Sequence, residues 1–354
     1  MDIIYLVIGI ILLTVSGNEL VKGSVAIAKF LKLSTLVIGA TIVSLGTSAP
    51  ELIVSLEAAL KGSPDLSLGN VIGSNISNMA LVLGLTAIIL PIPLMKLTIK
   101  WDWLIMIFAS LMLMLFLFTG NKLGRIEGIA FVLLLIAYII FTIRINRDKT
   151  KSDNASPEKE KRDIWFGFSD LRLLFVKSNS MPLVLAILLV IVASVGLVFG
   201  ARFLVDGATG IARSLGVSER IIAVSVIAVG TSLPELATSL IAALRKEMDI
   251  SIGNIIGSNI FNIFGILGIT AIVTDIQLQD SGLFKDIIWM LAVSVVLILF
   301  IVPFREHCRP MQKLNNVLTF FQKSEYITTG LIKRSEGIAL FLLYALYIVW
   351  VFVL

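Results

Sequence analysis

A stretch of 43 residues, Gly46 to Ile88, recurs 184 residues later without a gap, and 26 of its positions are identical. The conserved cores are Gly46-Thr47-Ser48-Ala49-Pro50-Glu51-Leu52 against Gly230-Thr231-Ser232-Leu233-Pro234-Glu235-Leu236, and Gly69-Asn70-Val71-Ile72-Gly73-Ser74-Asn75 against Gly253-Asn254-Ile255-Ile256-Gly257-Ser258-Asn259. Weaker matches lie upstream, at Leu20-Val21-Lys22-Gly23 against Leu204-Val205-Asp206-Gly207, and near the ends, at Glu127-Gly128-Ile129-Ala130 against Glu336-Gly337-Ile338-Ala339. Such duplication means that one structural unit is built twice and the two copies must pack on each other.

The medium in which they pack follows from composition. Of 354 residues 57% are hydrophobic and 15% charged, with a mean hydropathy of +0.99, outside the range of soluble domains. Apolar runs of membrane-spanning length recur at 3–16, 36–60, 71–95, 103–119, 126–143, 182–205, 221–244, 255–274, 287–304 and 337–354. The runs lack the alternation of a barrel strand, so the expected fold is an all-α membrane protein of about ten transmembrane helices. Met1-Asp2 carries no basic region and no small-residue cleavage site follows, so the first run is read as a retained span rather than a signal peptide.

Each copy holds five spans, an odd number, so the second enters the membrane from the opposite side. The chain therefore divides into a first five-helix repeat at 1–145, a polar linker at 146–180 and a second, inverted repeat at 181–354. Lys and Arg concentrate in the linker, at Lys29, Lys32, Lys96, Lys100, Arg245 and Lys246, and in the segment from Arg305 to Arg334. The positive-inside bias places all of these in the cytoplasm and both termini outside. Lys22 and Arg202 alone fall within spans. The net charge of +5 thus reflects orientation in a lipid bilayer, not affinity for nucleic acid. Met311 to Tyr326 has apolar residues at helical spacing among lysines, as in a surface helix. The single Cys308 forms no internal disulfide, and the lone His307 reads as a solvated loop residue.

Inverted repeats hold their substrate near the midplane, on helices whose hydrogen bonding is interrupted. Pro50 and Pro234 supply the interruption, loosened by Gly46, Gly69, Gly73 and their counterparts. One residue after each proline stands a carboxylate, Glu51 or Glu235, deep in an apolar run with no basic residue near it in the span. A carboxylate at that depth is costly and marks a functional position. Thr47, Glu51 and Ser55 share one helical stripe, as do Asn70, Ser74 and Asn78; the second copy repeats both, with Thr231, Glu235, Ser239 and with Asn254, Ser258, Asn262. Two carboxylates among neutral oxygens, without a cationic side chain, form a ligand set for hard cations such as Ca²⁺ and Na⁺. For Ser55, Ser239, Asn75 and Asn259, helix packing is an equal alternative, and for Gly84 and Gly268 the better one.

The paired Gly-Thr-Ser-x-Pro-Glu and Gly-Ser-Asn motifs resemble the alpha repeats of the calcium/cation antiporter superfamily, most closely its prokaryotic sodium/calcium exchanger branch. The resemblance implies a secondary antiporter, not an enzyme, with transported Ca²⁺ and Na⁺ and no cofactor, acting as a monomer in the plasma membrane. It implies discontinuous second, third, seventh and eighth helices around the ions, with long first and sixth helices that slide against them. It also implies that Ca²⁺ and Na⁺ share Glu51 and Glu235, that Thr47, Ser48, Thr231 and Ser232 add hydroxyl and carbonyl oxygens, that Ser74 and Ser258 complete sodium sites, and that Asn78 and Asn262 line the middle. Potassium-dependent relatives carry Asp at the position of Asn262, so potassium co-transport is not expected. A proton/calcium exchanger of the same superfamily is the nearest alternative, disfavoured because no histidine lies in either repeat motif. A cation channel fits the inverted broken helices less well, and an intramembrane hydrolase lacks a base near Ser48 or Ser232.

Overall fold

The computed structural model describes residues 1–94, 98–120, 122–153, 181–217, 228–278, 280, 282–301 and 330–353. The chain is a multi-pass all-helical membrane protein. Helix α1 is Asp2–Leu31 and the next span is α2, Thr35–Thr47, joined to α3, Ala49–Leu60, with a bend of 47°. Then follow α4, Pro64–Ile89; α5, Thr98–Gly120; and α6, Arg125–Asp153. The second copy contains α7, Leu183–Ser214; α8, Ala228–Gly230; α9, Leu233–Leu244; α10, Met248–Val273; α11, Gly282–Ile301; and α12, Arg334–Val353. Among the described residues eight helices can cross a membrane alone, and the bent α2–α3 pair makes a ninth. The expected span at 221–244 contributes α8 and α9, with 221–227 outside the described residues. The same holds for 154–180 of the linker and for residues 305–329 of the basic segment, with Met311 to Tyr326, His307 and Cys308.

Helices α1 and α7 are longer than their apolar runs. Each continues past polar residues, Asn18-Glu19 with Lys22 in one and Arg202 with Asp206 in the other. α1 ends at Lys32 in the left-handed conformation, whose amide closes on the Ala28 and Lys29 carbonyls. The two long helices cross at glycines. A Cβ on Gly9 would stand 2.5 Å from the Leu204 backbone nitrogen, and one on Gly200 2.9 Å from that of Leu13.

The repeats interlock rather than stack. Gly84 of α4 abuts the Gly337 carbonyl on α12, and its repeat mate Gly268 of α10 abuts the Gly128 carbonyl on α6, the small-residue packing expected of both. Two short antiparallel pairs, not anticipated from the sequence, reinforce the same joints. Strand β1, Ile92–Leu94, pairs with β4, Gly330–Ile332, and β2, Lys122–Leu123, with β3, Ile276–Gln277. Pro91 and Pro93 stop α4 at Ile89 and leave the following residues extended. The core gathers around α4 and α10, with Ile72, Ile76, Met79, Ile255, Ile260, Ile263 and Phe264 all buried. Burial on every side explains how these two central helices afford so many polar groups at the midplane.

Candidate cation site

Both breaks have the same local geometry. Ser48 lies at φ −85°, ψ 10° and Ser232 at φ −85°, ψ 3°, in the sparsely allowed bridge region between two helices. Pro50 and Pro234 then occupy the first turn of α3 and α9, where a missing amide hydrogen costs least. Regular bonding resumes with the Leu52 amide donating to the Ser48 carbonyl at 3.2 Å and the Leu236 amide to that of Ser232 at 3.0 Å. Glu51 and Glu235 therefore sit in the first turn of a half-helix rather than in the middle of a span. The partial positive charge of that helix end favours a carboxylate there.

The two carboxylates are fully buried, and the two copies meet around them. The Ser48 hydroxyl donates to Glu235 Oε1 at 2.9 Å. The Thr47 hydroxyl donates to Asn254 Oδ1 at 3.0 Å and lies 3.4 Å from Ser258 Oγ. Across the centre the Asn262 amide donates to Asn75 Oδ1 at 3.0 Å. Ser74, Asn78, Ser232, Ser258 and Asn262 are buried with them, while Thr231 is half-buried at the α8–α9 junction. All ten residues singled out in the sequence thus lie on the broken spans α2–α3 and α8–α9 or at their junctions, and on α4 and α10, which run on through a π-turn rather than breaking as expected of the third and eighth helices.

The residues left open between ligation and packing bond to protein. Asn70 donates to Ser55 Oγ at 2.9 Å and to the Glu51 carbonyl at 3.2 Å; Asn254 repeats this with Ser239 Oγ at 2.9 Å and the Glu235 carbonyl at 3.5 Å. These ties hold each glutamate-bearing half-helix on the span that follows it. Asn75 and Asn259 turn their amide nitrogens to the Met290 and Met106 sulfurs, at 3.6 and 3.5 Å, and the Asn75 nitrogen also donates to the Asn259 carbonyl at 3.2 Å, while its oxygen takes the bond from Asn262.

What is left is a set of acceptors. Both oxygens of Glu51, Oε2 of Glu235, Oδ1 of Asn78 and Asn262, and the Ser74 and Ser232 hydroxyls are buried without a hydrogen-bond partner. Burial of so many unpaired oxygens is expensive. A hard cation, which takes oxygen ligands only, fits this donor set. Among the described residues no three acidic, histidine or cysteine side chains gather, so the fixed charge of the site is that of two glutamates.

Two features escaped the sequence reading. Asn78 and Asn262 lie inside widened π-helical turns, Ser77–Val82 and Phe261–Leu267, and a third such turn, Gly39–Val43, precedes the first break. π-turns recur at functional sites, where the extra residue re-aims a side chain. Buried Asp102 on α5 faces the Tyr138 phenol on α6, and 184 residues on Asp286 on α11 faces Tyr347 on α12. The offset that exposed the main repeat would have found this carboxylate pair.

The sodium/calcium exchanger protein model matches residues 1–144 and 185–353. The sodium/calcium exchanger MaX1 of Methanosarcina acetivorans is 30% identical across 99% of this chain and 98% of its own length. The putative antiporter CaxA of Alkalimonas amylolytica is 35% identical across 84% of this chain and 88% of its own. Among solved structures the sodium–calcium exchanger NCX_Mj superposes with a TM-score of 0.73 at 29% identity, covering 98% of this chain and 97% of that one. With the paired breaks, the opposed glutamates and a match running nearly end to end, the chain belongs to the sodium/calcium exchanger protein family, and is a cation/Ca²⁺ antiporter.

Proposed function

We propose that the chain exchanges Na⁺ for Ca²⁺ by alternating access at one midplane site, with Glu51 and Glu235 as ligands shared by both ions. The observation that carries this reading is the pair of fully buried carboxylates from opposite repeats, ringed by unpaired neutral oxygens and, among the described residues, by no buried cationic side chain. Thr47, Ser48, Thr231, Ser232, Ser74, Asn78, Ser258 and Asn262 supply the remaining oxygens. The name of the relative from Methanosarcina, a sodium/calcium exchanger, supports Na⁺ as the coupling ion. Hydroxyl and amide oxygens point the same way, since they suit Na⁺ and a proton needs no such cage.

Two glutamates carry a charge of −2, which one Ca²⁺ neutralises and three Na⁺ overcompensate by +1. Exchange on that stoichiometry moves net charge, so a membrane potential contributes about 2.3 kcal/mol per 100 mV. With the linker cytoplasmic and both termini outside, the inward sodium gradient and the potential drive calcium out of the cell. An empty site of charge −2 would cross the low-dielectric barrier uncompensated, which keeps the two fluxes coupled. Sodium-driven ⁴⁵Ca²⁺ uptake into proteoliposomes tests this. The reading expects uptake that follows an imposed potential and ignores a proton gradient; uptake that follows only the proton gradient assigns the coupling to H⁺ instead.

A further inference from the structure

The pseudo-symmetry is broken where the long helices α1 and α7 meet the glutamate-bearing half-helices. On α1, Gly17 packs against α9, where an added Cβ would lie 2.8 Å from Ile241 Cδ1 and 3.6 Å from the Ala237 carbonyl. The repeat mates of Gly17 and Ala237 are Ala201 and Ile53, which line a cavity of about 170 Å³ between α3 and α7. Pro50 and Thr231 line it as well, so it reaches the break that bears a proposed ligand. The molecule is open between α3 and α7 and shut between α1 and α9.

The open side carries a charge that cation transport does not call for. Arg202 and Asp206, one turn apart on α7 and both exposed, line this cavity. Arg202 lines a cavity, the setting in which an arginine within a membrane span is tolerated. Across from it on α3, Glu57 lies within electrostatic reach of Arg202 and pairs with Lys61 at 2.6 Å. The counterparts on the shut side, Asn18 and Lys22, are both engaged by Glu19.

We propose that Arg202 is a specificity-determining residue for ions arriving through this cavity. A fixed positive charge in the wall raises the energy of an approaching cation in proportion to the ion's charge. The resulting Boltzmann factor for a divalent ion is the square of that for a monovalent one. Arg202 therefore disfavours Ca²⁺ against Na⁺ at this face alone, which in an exchanger limits rebinding of released calcium. The inference rests on Na⁺ being the coupling ion.

The test compares half-saturating Ca²⁺ and Na⁺ at each face, in vesicles of known orientation, for wild type, Arg202→Gln and Arg202→Lys. For Arg202→Gln a charge effect of ordinary size lowers the half-saturating concentration about threefold for Na⁺ and about ninefold for Ca²⁺, at the α3–α7 face only. Arg202→Lys keeps wild-type values, and the shift shrinks in about 0.5 M choline chloride. Equal shifts for the two ions, shifts at both faces, no shift, or failure of lysine to restore wild-type values overturns the proposal. Should Arg202→Gln not reach the membrane, Asp206→Asn provides the same test with the opposite sign. If Na⁺ has no effect on wild-type flux, the coupling reading fails, while Ca²⁺/Ca²⁺ exchange at the two faces still reports on Arg202.

Discussion

The Ser48 hydroxyl, on the first repeat, donates at 2.9 Å to Glu235 on the second, whereas Ser232, its repeat mate, has no hydrogen-bond partner and neither has the Glu51 carboxylate. One glutamate is thus held in place by the opposite repeat and the other is not. A hydrogen bond to a charged group contributes about 1.5–3 kcal/mol, so Ser48→Ala is expected to weaken Ca²⁺ binding on the order of tenfold or more. Ser232→Ala removes a hydroxyl that orients no carboxylate and is expected to cost less. Isothermal titration of Ca²⁺ into purified protein separates the two; equal losses would show that the asymmetry does not persist with ion bound.

Glu51→Gln and Glu235→Gln each leave one carboxylate to face a divalent ion. Each is expected to abolish sodium-driven ⁴⁵Ca²⁺ exchange while folding is kept, since the amide matches the carboxylate in shape. Monodispersity in detergent checks the folding. Exchange retained in either variant would refute the shared-carboxylate site.

Gly257 tests the packing that holds the site. Its hypothetical Cβ falls 2.6 Å from the Cα and carbonyl oxygen of Ala40, so α10 and α2 meet backbone to backbone. Gly257→Ala must push the helices apart and is expected to cost about 1–3 kcal/mol, with a lower melting temperature and loss of exchange. Gly62→Ala makes a useful contrast. Gly62 has nothing within 4 Å but a φ of +78°, so alanine adds only backbone strain, about 1–2 kcal/mol, and exchange should survive.

Much of this architecture was legible in the sequence, and physics explains which parts. An odd number of spans between two copies of one motif forces inversion, and a proline followed by glutamate in an apolar run forces a break that carries charge. That Thr47 and Glu51 share one stripe, and Ser74 and Asn78 another, followed from helical period, whereas their place around an ion was what the resemblance implied. The π-turn around Asn78 did not, because widening a turn by one residue needs no distinctive side chain. Nor did the roles of Asn70 and Asn75, which share a short segment: one braces Ser55 and the Glu51 carbonyl, the other a methionine on α11. Only tertiary packing decides which amides face the ion and which face protein. The apolar runs alone stop at residues 16 and 205, short of the ends of α1 and α7 at Leu31 and Ser214, and the greater length was legible only through the resemblance.

The cavity beside Ala201 yields the last prediction. Ile53 and Ala201 stand where Ala237 and Gly17 are in contact on the other side, so alternation between the faces must close the first pair as it parts the second. Introduced as Ile53→Cys and Ala201→Cys on a Cys308→Ser background, a thiol pair is expected to be open to a charged aqueous reagent in the state described here. Cross-linking the pair is expected to hold the α3–α7 side shut and stop exchange, with activity restored by reduction. Electrophoretic mobility after mild oxidation, measured with flux on the same vesicles, reads both effects. Exchange at the wild-type rate with the cross-link complete would mean that α7 does not move against α3 during the cycle.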